Sequence, residues 1–237
     1  MKLVIPNVLA VLFFINFLSA EVDQTKELKK HQLIFQKIQE LLKDDMKFYH
    51  VPGMAIAIYH DGNEYFLSYG FADKEKEILV NPDTLFKIAS ITKVFTASLL
   101  SVKLVESDIQ LTDNVSKYLA LSPVTPKDID RVTLLQLATH TSSLPRVFPN
   151  FKHGANYTEQ QILNFLNLFE APYPIGTSYS YSNAGFGILG MALANASKSS
   201  YMQLLEQFIL RPLNMNATFL EVPESLKRHM AVGYNAK

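Results

Sequence analysis

The sequence predicts an α+β fold, in which a helix and an antiparallel hairpin precede a mainly helical region. Three observations carry this. Residues 23–47 set Leu28, Ile34, Phe35, Ile38, Leu41, Leu42 and Met46 among charges, the pattern of an amphipathic helix with one buried stripe. Two short apolar runs then flank Asp61-Gly62-Asn63, a tight-turn signal. Beyond Asn81-Pro82, apolar residues recur at helical spacing. With 48% hydrophobic and 19% charged residues, the 237-residue chain can bury a sizeable core.

Residues 1–20 stand apart from this fold. Lys2 precedes an almost wholly apolar run from Leu3 to Leu18, and Ser19-Ala20 ends in small residues. This predicts a secretory signal peptide cleaved after Ala20, so that the mature chain is exported. The alternative is an uncleaved anchor, but the run is shorter than the ~20 residues that spanning needs. The chain has no cysteine, which excludes disulfides, a thiol nucleophile and a thiolate metal site. Formal net charge is zero with no basic block, which argues against nucleic acid as a partner.

In chain order, Pro52-Gly53 ends the first helix. Met54–Tyr59 and Glu64–Tyr69 are the hairpin strands. Ile91–Val105 is a helix without Gly or Pro, apolar enough to be expected central and buried. Val132–Ala138 is a short helix with Thr133 near its start. Thr158-Glu-Gln-Gln161 is a capping box opening a helix to about Phe169. Ala184–Ala196 and Tyr201–Leu210 complete the set. The organisation expected is a signal over 1–20 and one domain over 21–237, with an α/hairpin part (21–85) and a mainly helical part (86–220). No later sequence supplies obvious sheet partners for the hairpin, and two strands alone make a poor sheet.

The stretch Tyr179–Gly190, "YSYSNAGFGILG", contains Gly185-x-Gly187-x-x-Gly190. A dinucleotide fingerprint needs a strand before it, and here polar residues precede the first glycine. Close helix packing is the better reading of these glycines.

Ser90-Ile-Thr-Lys93 opens the Ile91–Val105 helix. Positions three apart share a helix face, so the hydroxyl and amine can meet. A serine hydroxyl becomes a nucleophile when a base takes its proton, and a lysine can be that base. The helix N-terminus suits a developing oxyanion. The ordinary alternative is an N-cap serine with a surface lysine. Tyr181-Ser182-Asn183 offers a phenol that a nearby cation can acidify, and an amide that can hold both a substrate and Lys93. Its ordinary alternative, a helix cap by Ser182 or Asn183, is compatible with that chemistry. No G-x-S-x-G elbow and no H-E-x-x-H zinc motif is present. His140 reads most simply as a C-terminal helix histidine favoured by the dipole.

S-x-x-K followed about ninety residues later by Y-x-N is a far more specific signal than either alone. With "LFKIASITKVFTASLL", "VTLLQLATHTSSLP" and "YSYSNAGFGILGMAL" in this order, the chain resembles the serine β-lactamase and penicillin-binding-protein superfamily, most closely class C β-lactamases. The resemblance spans roughly Val51 to Tyr234. It implies a β-lactamase/DD-peptidase-like fold, an antiparallel sheet flanked by helices plus a helical subdomain. It implies Ser90 as acylated nucleophile, Lys93 as its basic partner, Tyr181 as acid–base and Asn183 as substrate-binding residue. The Ser90 backbone N–H would be one oxyanion donor. No metal or organic cofactor is implied. The expected partner is a β-lactam or a peptidoglycan-like peptide, met by a periplasmic monomer.

Two departures qualify the resemblance. The family's third motif, K-T-G or a variant on a late strand, has no counterpart after Tyr181. Lys152-His153-Gly154 and His60-Asp61-Gly62 imitate its letters but precede Tyr181. The chain therefore reads as truncated before the late strands. Class C enzymes also commonly carry a glutamine where this sequence has Arg146, Val147 and Phe148. The expected function is β-lactam hydrolysis through an acyl-enzyme on Ser90. A DD-peptidase or esterase, or a non-catalytic penicillin- or peptidoglycan-binding module, is the alternative.

Overall fold

The computed structural model describes residues 33–121, 127–149 and 157–234. The predicted signal over 1–20, Leu28 and Lys152-His153-Gly154 lie outside them. The described residues of Met1–Phe86 and Glu224–Lys237 form one compact unit, and those of Lys87–Pro223 another.

In the first unit, residues 33–48 are helical (α1). Phe35, Ile38, Leu42 and Met46 make a half-buried stripe at three- and four-residue spacing. Ile34 and Leu41 fall outside that stripe and are exposed. The stripe meets the sheet where the Phe35 and Tyr65 rings lie 5.0 Å apart.

The hairpin strands are β1 (Gly53–His60) and β2 (Asn63–Asp73), antiparallel from Gly53↔Gly70 to His60↔Asn63. Side chains alternate as the pleat requires. Met54, Ile56, Ile58, Tyr65, Leu67 and Tyr69 are half-buried, and the residues between them are exposed. β2 runs four residues past the predicted end. It can do so because position 70 is glycine, with φ +67°, where a Cβ would lie 2.1 Å from the Pro52 carbonyl oxygen. The extension gives the hairpin a partner that the sequence reading lacked. β3 (Ile78–Leu79) pairs antiparallel with Phe71 and Asp73 of β2, making a sheet of order β1-β2-β3. The segment 229–232 also returns to this unit. The Ala231 N–H donates to the Leu85 carbonyl and the Val232 N–H to the Ala72 carbonyl, both at 2.8 Å.

The second unit is helical. A 3₁₀ turn, Ala89–Ile91, leads into α2 (Thr92–Val105); α3 (Leu134–Ala138), α4 (Glu159–Asn167), α5 (Asn183–Ala196) and α6 (Tyr201–Leu205) follow. The caps explain the starts. Thr133 and Thr158 each accept the N3 backbone N–H, at 3.2 Å, and the N3 glutamine answers at 2.9 Å. The helix predicted to reach Leu210 is α only to Leu205 and π over Glu206–Leu210. Pro212 has no N–H for the Phe208 carbonyl, and the Arg211 N–H reaches back to Glu206 at 3.0 Å. Leu99, Leu134, Leu137, Leu166, Ile188, Leu189 and Leu193 close one apolar core among these helices.

The expectation that α2 is central and buried is not met. Its inner face, Thr96, Leu99, Leu100 and Lys103, is buried, but Val94 and Val105 on the outer face are 63% and 86% exposed. The exposed positions, Val94, Ser98, Ser101 and Val105, lie on one face that mixes valines with serines.

Candidate active site

Two elements of the helical unit bring the predicted residues together. Ser90 sits in the 3₁₀ turn and Lys93 in the first turn of α2, on one face by the i,i+3 rule. Ala89, just before the serine, has φ +46°, a left-handed conformation uncommon for a residue with a Cβ. The second element is the start of α5. Ser182 is its N-cap: its buried hydroxyl accepts the Gly185 N–H at 2.8 Å and donates to the Pro145 carbonyl at 2.6 Å. Ser182 is extended and turned inward, so Tyr181 and Asn183 on either side of it face the other way. The Asn183 N–H is held by the Arg146 carbonyl at 2.8 Å.

All four predicted side chains converge. The Ser90 and Tyr181 hydroxyl oxygens are 2.7 Å apart. The Lys93 ammonium donates to Ser90 Oγ at 3.2 Å and to Asn183 Oδ1 at 2.7 Å. Ser90 and Asn183 are exposed, while Lys93 and Tyr181 are half-buried, so the nucleophile candidate faces solvent with Lys93 and Tyr181 behind it. The Lys93 hydrogen bond and then the Ser90 hydrogen bond pull the Tyr181 phenol below its ordinary range, against the opposing effect of burial. A smaller pull comes from Arg146, whose guanidinium lies 5.3 Å from the Tyr181 ring centre. The group can thus take a proton from a serine and return it to a leaving group.

His140 lies just past the end of α3, where the sequence places it, but its contacts are not those of a histidine held by the helix dipole alone. It follows α3 at φ +59° and is buried. Its Nδ1 accepts the Ser182 N–H at 3.1 Å, and its ring lies 4.6 Å from Tyr181 and 4.9 Å from Phe186. Burial first, and the Lys93 charge second, hold its pKa below the ordinary histidine range.

The three glycines of α5 do not share one role. A Cβ on Gly185 would lie 3.2 Å from Ser182 Oγ, and one on Gly190 3.4 Å from the Tyr201 ring, so both are close-packing positions. A Cβ on Gly187 meets nothing within 4 Å. Gly187 borders a cavity of about 600 Å³, also lined by Thr92, Lys93, Asn183 and Tyr201. The packing reading therefore fails there, because the α5 face at that turn looks into open space. His60-Asp61-Gly62, the imitator of the third motif, spans the end of β1 and the β1–β2 turn in the other unit. Among the described residues, no group of three His, Asp or Glu side chains could hold a metal ion, and no helix is long and apolar enough to cross a membrane.

The family model named β-lactamase matches residues 38–237. A β-lactamase of Lysobacter lactamgenus is 33% identical over 201 residues, covering 85% of this chain and 51% of that protein. The D-alanyl-D-alanine-carboxypeptidase/endopeptidase AmpH of Escherichia coli K12 is 34% identical over 187 residues, covering 75% and 48%. The crystal structure of a class C β-lactamase in complex with cefoxitin superposes with a TM-score of 0.76 at 32% identity, covering 85% of this chain and 55% of that one. The chain thus spans about half the length of the relatives it matches.

Proposed function

The chain belongs to the β-lactamase family and has its fold, and from that premise we propose that it is an exported serine hydrolase of the class C type that opens β-lactam rings. The observation that carries this is the placement of Ser90 Oγ between the Tyr181 hydroxyl at 2.7 Å and the Lys93 ammonium at 3.2 Å. Ser90 Oγ attacks the lactam carbonyl carbon as its proton passes to Tyr181, which acts in its ionised phenolate form, and a C–O bond forms. Lys93 and Asn183 hold this pair in line, and the amide nitrogen of Asn183 can donate to the substrate amide. The C–N bond then breaks, and the ring nitrogen takes the proton from Tyr181. Water attacks the ester and gives its proton to Tyr181; as the bond from the carbonyl carbon to Ser90 Oγ breaks, Tyr181 returns that proton to Ser90 Oγ, which releases the opened product and restores the serine. An oxyanion formed at the carbonyl lies beside the start of α2, where backbone N–H groups and the helix dipole favour negative charge.

The signal-like residues 1–20 support export, and the periplasm is the compartment where β-lactams meet such an enzyme. Resistance to β-lactams is the biological role that follows. The likeness to AmpH supports a second reading, a DD-peptidase that cleaves D-Ala-D-Ala peptides through the same acyl-enzyme.

Nitrocefin turnover by the purified protein, expressed from its complete reading frame, tests the proposal. Hydrolysis that vanishes in Ser90→Ala is expected. Stable labelling by a fluorescent penicillin without turnover, together with D-Ala release from a peptide, would replace the lactamase reading with the peptidase one. No label at all would sink both.

A further inference from the structure

His140 makes contacts that the acylation chemistry does not itself require. Its Nδ1 is an acceptor, since the group it meets is the backbone N–H of Ser182. An imidazole that accepts at Nδ1 is neutral, with its proton on Nε2. Ser182 is the residue between Tyr181 and Asn183, and its own hydroxyl caps α5. The His140 carbonyl holds the same segment from the other side, accepting the Ser180 N–H at 2.8 Å. The ring packs against Tyr181 and Phe186, and edge-on at 5.7 Å against Tyr179. One residue thus grips the backbone and the phenol ring of the Tyr181–Asn183 segment together.

We propose that neutral His140 is a positioning residue, which fixes Tyr181 and Asn183 at hydrogen-bonding distance from Ser90 and Lys93 and loosens them when it is protonated. A proton on Nδ1 would place N–H against N–H at Ser182 and end that hydrogen bond. It would also set a second cation against Lys93, the charged group of α2 that acts on His140. Tyr179 and Tyr181 are the titratable groups facing it from the approach to α5, Phe186 of α5 carries no charge, and Arg146 lies over the Tyr181 ring. Burial already disfavours the cation. The site is consequently competent above the histidine's titration and loosened below it.

The inference rests on Ser90 being acylated, and its test separates the two. The acylation rate with a fluorescent penicillin is measured against pH for the wild type and for His140→Asn. Asparagine tolerates the left-handed backbone at this position and offers an acceptor near Nδ1, but does not titrate. The wild-type profile is expected to fall at least 10-fold through a step in acid that His140→Asn lacks. Superimposable profiles would overturn the proposal. If the wild type takes no label at any pH, the acylation reading fails by itself. The placement of His140 is then decided by NMR, where the Ser182 amide shift is expected to titrate with the His140 imidazole. An amide that stays still while the imidazole titrates would overturn it independently of activity.

Discussion

Ser90 and Tyr181, 91 positions apart in the chain, hold their hydroxyl oxygens 2.7 Å from each other, and Lys93 reaches both this pair and Asn183. In the proposed mechanism the phenol carries the proton. Tyr181→Phe keeps the ring packing on His140 but removes the hydroxyl. Acylation by a fluorescent penicillin in single turnover is expected to slow by roughly 10²–10⁴-fold, the range for a lost general acid–base. A loss below 10-fold would pass the proton role to Lys93.

The Lys93 ammonium is the first cause of the lowered Tyr181 pKa. Lys93→Met removes that cause while keeping an apolar stem in the half-buried first turn of α2. One tyrosine titration is expected to move up toward the ordinary value of about 10. Ultraviolet difference titration of phenolate reads this without any substrate. An unchanged curve would mean that Lys93 does not govern Tyr181.

The site was legible in the sequence where its geometry is local. Ser90 and Lys93 meet because three residues are nearly one helical turn, and Tyr181 and Asn183 present together because Ser182 caps a helix. The capping box at Thr158 is local too, and its helix begins where the pattern places it, whereas α3 begins at Leu134, two residues after the predicted start at Val132, because Thr133 is its cap. His140 was not legible. What makes it buried and neutral is the Ser182 amide 42 positions on, together with Tyr181 and Phe186, none of which spacing reveals. β3, two residues long, is too short to show alternation, and the return of 229–232 to the first unit is made of backbone hydrogen bonds. The exposed outer face of α2 escaped for a related reason: apolar composition says that a helix can be covered, not what covers it.

Two glycines of opposite meaning test the packing. Gly53 in β1 faces the Phe71 carbonyl, where a Cβ would lie 2.3 Å from the oxygen. Gly53→Ala must shift the backbone of the hairpin and is expected to cost about 1–3 kcal/mol. Gly187→Ala adds a methyl to open space inside a helix and is expected to stabilise by about 0.5–1 kcal/mol. Urea unfolding with a constant slope measures both. Equal effects would mean that the hairpin or the α5 face is not arranged as described.

Stability is expected to fall in two steps as pH drops. His140 has a depressed pKa in the folded chain, so the unfolded chain binds its proton first, and the contribution present above about 6.5 is lost below it. Asp113 and Asp128 are also depressed, by hydrogen bonds from Tyr118 and Gln110 and from the Ala171 N–H and Arg131 respectively. Their contribution is present above about 3.9 and lost as pH falls through the folded values. Melting temperature against pH reads both steps. His140→Asn is expected to flatten the first and Asp128→Asn to reduce the second. A first step unchanged in His140→Asn would assign it to another group.

Lys103 offers the last test, of a charge inside the helical core. Its side chain is 6% exposed, with Glu106 and Asp108 carboxylates at 2.6 and 2.8 Å and the Phe208 ring centre 5.1 Å from the ammonium. Burial pulls its pKa down, but Asp108 and Glu106 together push it above the ordinary value, so its stabilising charge persists until pH rises through that folded pKa. The two carboxylates are 39% and 48% exposed, so removing the amine leaves them hydrated rather than stranded. The buried stem therefore matters more than the charge. Lys103→Met, which keeps the stem, is expected to change stability by less than about 1 kcal/mol. Lys103→Ala, which leaves a void under Phe208, is expected to cost about 2 kcal/mol or more. Urea midpoints that fall equally for both variants would show that the ion pairs, and not the packing of the stem, hold α2 against this part of the core.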